Sequence, residues 1–357
     1  MSPGIQGTFV SEKINRVRWV PEEHSESTSF LTGSWDNDVN SIKLWSFETN
    51  FEEEGVDYPK VVNTFEIDGD VTELKFVDRL NVVTSSSNGF VKLLTLSNYE
   101  KSTPFKEAVT WDKLHYYNNG SPAACTALAV MDGDMASAGE DGRLNFLASH
   151  QPQPIRTIHT ADSCSVHCIC FLKHNEVLTG NLRGQMKIWD LRSPNNNPVT
   201  TFLLSGDQVA ATSVVHHPTQ RHLVLAGSEN GALAVWDLRV NTYPASLLNA
   251  HSAAVSEIQF HPDHPQRLFT CSAGGEIWHW NTSTMMKQIT ATTNATASFN
   301  ESTVNPWLMS DEDRDNLEVT SLMTDLHKPI NSIDCNKNMI LCGCDNEAVY
   351  IIKNVYT

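Results

Sequence analysis

The chain has 357 residues, 40% of them hydrophobic, and a formal net charge of −17. That length suits several domains or one large repeat fold, and the acidic balance excludes a surface built to hold nucleic-acid phosphates or anionic lipid, favouring a protein partner with a basic patch. Eight cysteines at this size make no disulfide framework, MSPGIQGTFVSEKINRVRWV lacks the apolar core of a signal peptide, and no window approaches the ~20 apolar residues of a membrane span. The expectation is a chain of the nucleus or cytosol with reduced thiols and no membrane insertion.

Near the start, GTFVSEK (7–13) precedes an alternating run, VRWVP (17–21). A small-residue run follows, FLTGSWD (30–36), then SIKLW (41–45) and VVNTFEI (61–67). Such β-branched or alternating runs, bounded by Gly, Asn, Asp and Pro, read as strands. The order then returns down the chain. ELKFVD (73–78), VVTSSSNG (82–89) and FVKLL (90–94) form a second unit; MASAGEDG (135–142), RLNFL (143–147) and PIRTIHT (154–160) a third. The fourth is VHCICF (166–171), VLTGNLRG (177–184), QMKIWDLR (185–192) and VTTFLLS (199–205). The fifth is SVVHHP (213–218), LVLAGSENG (223–231), ALAVWDLR (232–239) and ASLLNAH (245–251). EIQFHP (257–262), LFTCSAGG (268–275) and EIWHW (276–280) make a sixth; SIDC (332–335), ILCGCDN (340–346) and EAVYI (347–351) a seventh.

One nine-residue phrase is written almost identically twice, GQMKIWDLR at 184–192 and GALAVWDLR at 231–239. Aligning every unit on it gives seven anchors: Trp45, Leu94, Leu147, Trp189, Trp236, Trp280 and Ile351, with Asn40 and Asn346 in the glycine's place at the two ends. Each phrase is the third strand of a four-stranded antiparallel unit, and the glycine makes the tight turn from the second strand. One such sheet cannot bury both faces alone, so seven stack around an axis. The expected fold is all-β, a single seven-bladed propeller over 1–357. Blades fall at 14–67, 68–114, 115–160, 161–205, 206–251 and 252–290; 317–357 holds the end of blade 6 and blade 7. The last unit leaves no room for a fourth strand, so 7–13, through Thr8–Ser11, is expected to close the ring on blade 7 and remove an open edge. The polar tract ATTNATASFNEST (291–303) and acidic SDEDRD (310–315) make 291–316 an insertion.

Repeats of this kind wire each blade with a His before the first strand, a Ser or Thr in the second, an Asp in the next turn and the Trp, and such a network stabilises only when fully paired. Here Asp141 and Asp345 hold the turn position, Asn88 and Asn230 substitute, Arg183 and Gly274 break it, and His251 is the only clear His. Cys164, Cys168 and Cys170 lack the C-x₂-C spacing and second half of a zinc site; they and Cys342 and Cys344 read as buried strand thiols. His216, His217, His261 and His264 read as turn residues. None of G-x-S-x-G, H-E-x-x-H, G-x-x-x-x-G-K-[ST] or G-x-G-x-x-G occurs. No enzyme, cofactor or metal is expected. The most specific surface feature is the repeated W-D-x-R, Asp190 with Arg192 and Asp237 with Arg239, either a local pairing that ends the strand or a partner-binding pair on adjacent blades.

These units resemble WD40 repeats. From about Phe9 to Ile352 the chain further resembles the forty-three-kilodalton nucleoporin family of the pore's Y-shaped outer-ring subcomplex, on FVSEKINRVRWVP, TGSWDNDVNSIKLWS, TGNLRGQMKIWDLR, FHPDHPQRLFTCSAGGEIWHW and LCGCDNEAVYII. The resemblance implies a scaffold that is monomeric outside its complex and docks on a helical outer-ring nucleoporin. It also implies support of pore assembly, transport of protein and mRNA, residence at the nuclear envelope and, in mitosis, at kinetochores. The chain has no FG repeats, so it is not expected to form the permeability barrier. The two W-D-x-R boxes also resemble the docking box of cullin-4 ubiquitin-ligase substrate receptors, an alternative with the cullin-4 adaptor as partner.

Overall fold

The computed structural model describes residues 4–22, 26–47, 58–96, 105–240, 243–283, 306–308, 317–323 and 326–356. Strand β1 (Gly4–Phe9) comes first. Blade 1 is β2 (Ile14–Trp19), β3 (Ser29–Ser34), β4 (Asn40–Phe47) and β5 (Pro59–Ile67); blade 2 is β6 (Val71–Phe76), β7 (Asn81–Ser86), β8 (Val91–Leu96) and β9 (Phe105–Trp111). Blade 3 is β10 (Cys125–Met131), β11 (Asp134–Gly139), β12 (Leu144–Ala148) and β13 (Arg156–Ile158); blade 4 is β14 (Val166–Lys173), β15 (Glu176–Asn181), β16 (Gln185–Asp190) and β17 (Thr200–Leu203). Blade 5 is β18 (Ala211–His216), β19 (Leu223–Ser228), β20 (Ala232–Asp237) and β21 (Ser246–Asn249); blade 6 is β22 (Val255–Phe260), β23 (Arg267–Ser272), β24 (Ile277–Asn281) and β25 (Glu318–Met323). Blade 7 is β26 (Ile330–Asn336), β27 (Met339–Cys344) and β28 (Ala348–Lys353), completed by β1. The seven-bladed, four-stranded antiparallel fold read from the sequence is the one observed.

Each first strand packs on the first strand of the next blade, and β26 packs on β2 to close the circle. The second strands are buried on both faces, as in β3 and β19, because a blade lies on either side. That is why they read as unbroken small and β-branched runs. Outer strands such as β5 face solvent and alternate. The apolar core is therefore distributed as layers between neighbouring blades, for example Leu225, Val235, Phe260 and Trp280 between blades 5 and 6.

Closure uses β1 paired antiparallel to β28 over Gly4–Phe9, a strand that begins before the expected 7–13 and ends before Ser11, which has φ 61°. Lys353 remains available at the far end of β28, so pairing runs back to Gly4. The unusual Trp35 of blade 1 adds a second closure, donating its indole N–H to Asp345 of blade 7 at 2.9 Å.

All seven first strands carry an irregularity one residue after their start, at Asn15, Thr72, Thr126, His167, Thr212, Ser256 and Asn331. In five of them the extra side chain donates to the opening carbonyl of the next blade. Asn15 reaches Val71 O at 2.7 Å, Thr72 reaches Cys125 O at 2.5 Å, Thr212 reaches Val255 O at 2.6 Å and Asn331 reaches Ile14 O at 3.0 Å; Thr126 reaches Val166 O. These bonds stitch blade to blade around the axis.

Six anchors face the second residue of the preceding strand: Trp45 faces Phe30, Leu94 Val82, Leu147 Met135, Trp189 Val177, Trp236 Val224 and Trp280 Leu268. In blade 7 the matching pair is Ile340 with Ile352, which moves the anchor from Ile351 to Ile352. The cause is the turn. Gly142 has φ 72° and a Cβ there would lie 2.2 Å from Asp162 O, so this position excludes side chains. In blade 7 the left-handed residue is Glu347, φ 61°, rather than Asn346. A non-glycine pays roughly 1–2 kcal/mol in that region, against a glycine entropy cost of about 0.5–1 kcal/mol. Glu347→Gly should therefore stabilise the chain by about 0.5–1 kcal/mol, read as a rise in the urea midpoint; a fall would show that the glutamate is held by contacts of its own.

The tract 291–303 and the acidic cluster 310–315 lie outside the described residues. Between them, Pro306–Leu308 forms a 3₁₀ turn whose Trp307 is buried in the layer between blades 5 and 6, edge-on to Phe260, with its carbonyl accepting from Ser246. This turn is thus packed against the ring through Trp307, with Leu308 beside it.

Candidate partner-binding surface

The topology divides the ring into two faces. One carries the second-to-third turns and the blade-to-blade loops; the other carries the first-to-second hairpins and the third-to-fourth connectors. Asp36, Asp38, Glu140, Asp207 and Glu229 are exposed on the first face. Lys173, Arg192, Arg221 and Arg239 are exposed on the second, where blades 4 and 5 meet. Both faces therefore present charged side chains to partners, and the junction of blades 4 and 5 gathers four basic ones.

Asp190 and Asp237 end β16 and β20, on the connector face. Arg192 folds back on Asp190, with Nε at 3.0 Å and Nη2 at 2.8 Å, and its own backbone N–H donates to the same carboxylate at 2.9 Å. Arg239 does the same on Asp237, at 2.9 and 2.6 Å. Hydrogen bonds from its arginine hold the Asp190 carboxyl down at about 2, and those from Arg239 hold Asp237 below its ordinary value. Each box is a closed ion pair whose guanidinium remains exposed. Asp190 of one box and Arg239 of the other rim a single groove between blades 4 and 5, a cavity of about 420 Å³ floored by Leu172, Ile188, Val199 and Leu238. A second groove of about 260 Å³ lies between blades 3 and 4 on the same face, beside Ile155 and Leu191.

The axial channel is occupied by a polar network. Arg18 of β2 donates to Glu73 of β6 at 3.0 Å, to Glu257 of β22 at 2.6 Å and to Ser332 of β26 at 2.9 Å, while Arg16 donates to Glu73 at 3.1 Å. Burial opposes charge on Glu73, yet Arg16, Lys75 and Arg18 together hold it well below the usual carboxylate range. Glu257 also accepts from the Ile333 N–H at 2.9 Å and the Ser332 hydroxyl at 2.7 Å. The two arginines and the two glutamates are paired across three blades, with Ser332 and Ile333 of a fourth, which makes the network a brace.

The blade wiring is more complete than the sequence implied in one place and less so in another. His115 of blade 3 bonds Asp141 at 2.9 Å and Ser137 at 2.9 Å, so His251 is not the only wired histidine. His115 lies ten residues ahead of β10, across the turn 117–121, and that distance hid it from the pattern. In blade 6, His251 bonds Thr270, which also accepts from Trp280, with Glu276 in the aspartate's role. Trp45 and Trp189 likewise donate to Thr32 and Thr179. In blade 5 the corresponding residue is Ala226, and the buried Trp236 N–H has no partner among the described residues.

Cys168 and Cys170 sit in the layer between blades 4 and 5, and burial pushes both thiols up, Cys170 to about 12. Among the described residues no group of three or more His, Cys, Asp or Glu could hold a metal ion. His217 and His261 each accept backbone N–H groups two and three residues on, the former at 3.3 and 3.1 Å and the latter both at 3.0 Å, which shapes the His-Pro hairpins. Burial lowers His217 to about 4 and keeps it neutral.

A family described as WD domain, G-beta repeat, matches residues 152–190, 196–237 and 242–281. Each match opens ahead of a blade's outer strand and closes on the third strand of the next, so the sequence repeat straddles two blades. Nucleoporin Nup43 of Homo sapiens is 34% identical over 380 aligned residues that cover 99% of both chains, and its counterpart in Mus musculus matches to the same extent. Nuclear pore complex protein nup43 of Dictyostelium discoideum is 22% identical over 76% of this chain and 82% of its own. With a seven-bladed ring and this end-to-end identity, the chain belongs to the Nup43 family of nucleoporins.

Proposed function

We propose that this chain is a non-enzymatic scaffold of the nuclear pore complex, seated in the outer ring by docking on a helical nucleoporin. The observation that carries this reading is the identity with a nucleoporin across 99% of both chains. The geometry supports it: the channel arginines and glutamates and the wired histidines are engaged in bracing the ring, and loops on two faces are left for partners. The proposed role includes residence at the nuclear envelope, support of pore assembly and nucleocytoplasmic transport, and a mitotic role at kinetochores. A tagged chain expressed in cells should mark the nuclear rim and recover the other outer-ring nucleoporins in equal amounts from a nuclear-envelope extract. A diffuse signal with no recovery would defeat the reading.

A second reading, substrate receptor of a cullin-4 ligase, is favoured by the shared pairing pattern of the two W-D-x-R boxes on adjacent blades, both guanidiniums exposed. Its mark would be loss of adaptor binding in the Arg192→Ala, Arg239→Ala double variant with rim localisation unchanged.

A further inference from the structure

We infer that the groove between blades 4 and 5 on the connector face is a docking slot for a protein segment carrying an aliphatic side chain next to a carboxylate. This deepens the scaffold reading, on which it rests for the partner being a protein.

The floor is apolar: Leu172, Ile188, Val199 and Leu238 line about 420 Å³ of open space. Val199 is 65% exposed although it lies beside the core of its own blade, and the blade 5 connector leaves Val240 and Tyr243 at 64% and 77%. An open apolar floor of this kind marks an interaction surface in a folded chain. The rim then selects among partners. Three of its charges are already satisfied: Lys173 by Glu176 at 2.8 Å, Asp190 by Arg192, and Arg239 by Asp237. Arg221 is the exception. Its backbone carbonyl accepts from His216, but its exposed guanidinium has no carboxylate partner among the described residues. It stands at the edge of the apolar groove. Guanidinium presents a planar fork to carboxylate. An aliphatic side chain seated on the floor would bring a neighbouring Asp or Glu to that fork, joining desolvated apolar contact with a charge pair at the rim.

The test uses the full chain panned against a displayed random-peptide library. Selected peptides should share an aliphatic residue beside Asp or Glu. Their affinity, read by fluorescence polarisation, should fall about tenfold or more for Arg221→Glu and for Val199→Asp, weaken as salt is raised, and stay unchanged for Lys106→Glu on the outer strand of blade 2. Circular dichroism should match wild type throughout. Failure to select peptides of this pattern, or equal binding by Arg221→Glu and Val199→Asp, would overturn the inference. A chain that binds such peptides but recovers no nucleoporin keeps the slot and loses the pore role; rim localisation with no peptide selected gives the reverse.

Discussion

Replacing Arg18 with alanine is expected to destabilise the ring by about 3–5 kcal/mol, the cost of leaving buried charge without its partner. The guanidinium is the only atom group that touches β6, β22 and β26 from β2, through Glu73, Glu257 and Ser332, among the described residues. Its loss leaves two buried carboxylates facing each other across the axis. Glu73 keeps Arg16 at 3.1 Å, whereas Glu257 keeps only neutral donors from blade 7. Arg18→Met combined with Glu73→Gln and Glu257→Gln should recover most of the loss, because neutral groups of similar shape carry no uncompensated charge. The pH dependence has a definite sign. In the wild type Glu73 and Glu257 are held below their ordinary value, so their contribution is present above about 4.5 and is lost as pH falls through the lowered folded values. In Arg18→Ala the part that Arg18 supplies is gone, while Arg16 and Lys75 still act on the carboxylates, and the gap between the two chains should narrow as the solution is acidified. Urea midpoints at neutral and acid pH measure both effects. An unchanged midpoint for Arg18→Ala would show that water enters the channel and solvates the carboxylates.

A chain lacking residues 1–9 is expected to self-associate more than the full chain. Six residues of β28 would be left without the partner that β1 provides, from Lys353 opposite Gly4 to Ala348 opposite Phe9. Cross-strand pairs contribute about 0.2–1 kcal/mol each, so the seam is worth on the order of several kcal/mol. The larger consequence is a free edge, which pairs with any compatible strand, including that of a second copy. Light scattering after size exclusion should show dimers or larger species, and a synthetic peptide of residues 1–13 should return the monomer. A truncated chain that stays monomeric with the wild-type midpoint would remove the seam from the account of ring stability.

These two devices differ in how visible they were. Strand-to-strand pairing follows from a period-2 pattern and from turn residues a few positions away, so seven units, their strand order and the need for a closing strand could be read along the chain. Even there the local signal had limits. Asn346 resembles the glycine substitute of blade 1, yet Glu347 takes the left-handed conformation, because turn geometry depends on register set across the whole hairpin. Trp307 sits in a segment whose composition is polar on both sides, and nothing nearby announces that it fills a space between blades 5 and 6.

The amino-acid sequence by itself determined the all-β class, the sevenfold repetition, the third-strand anchors in six blades and the closure by the N-terminal strand, since each rests on contacts within a hairpin or on a count of strands. Only the tertiary structure decided that the extra residue of five first strands stitches its blade to the next, that Arg18 meets Glu257 from 239 positions away, that His115 wires blade 3, and that halves of two W-D-x-R boxes rim one apolar groove. Those contacts join residues remote in the chain, and their geometry exists only once the ring has closed.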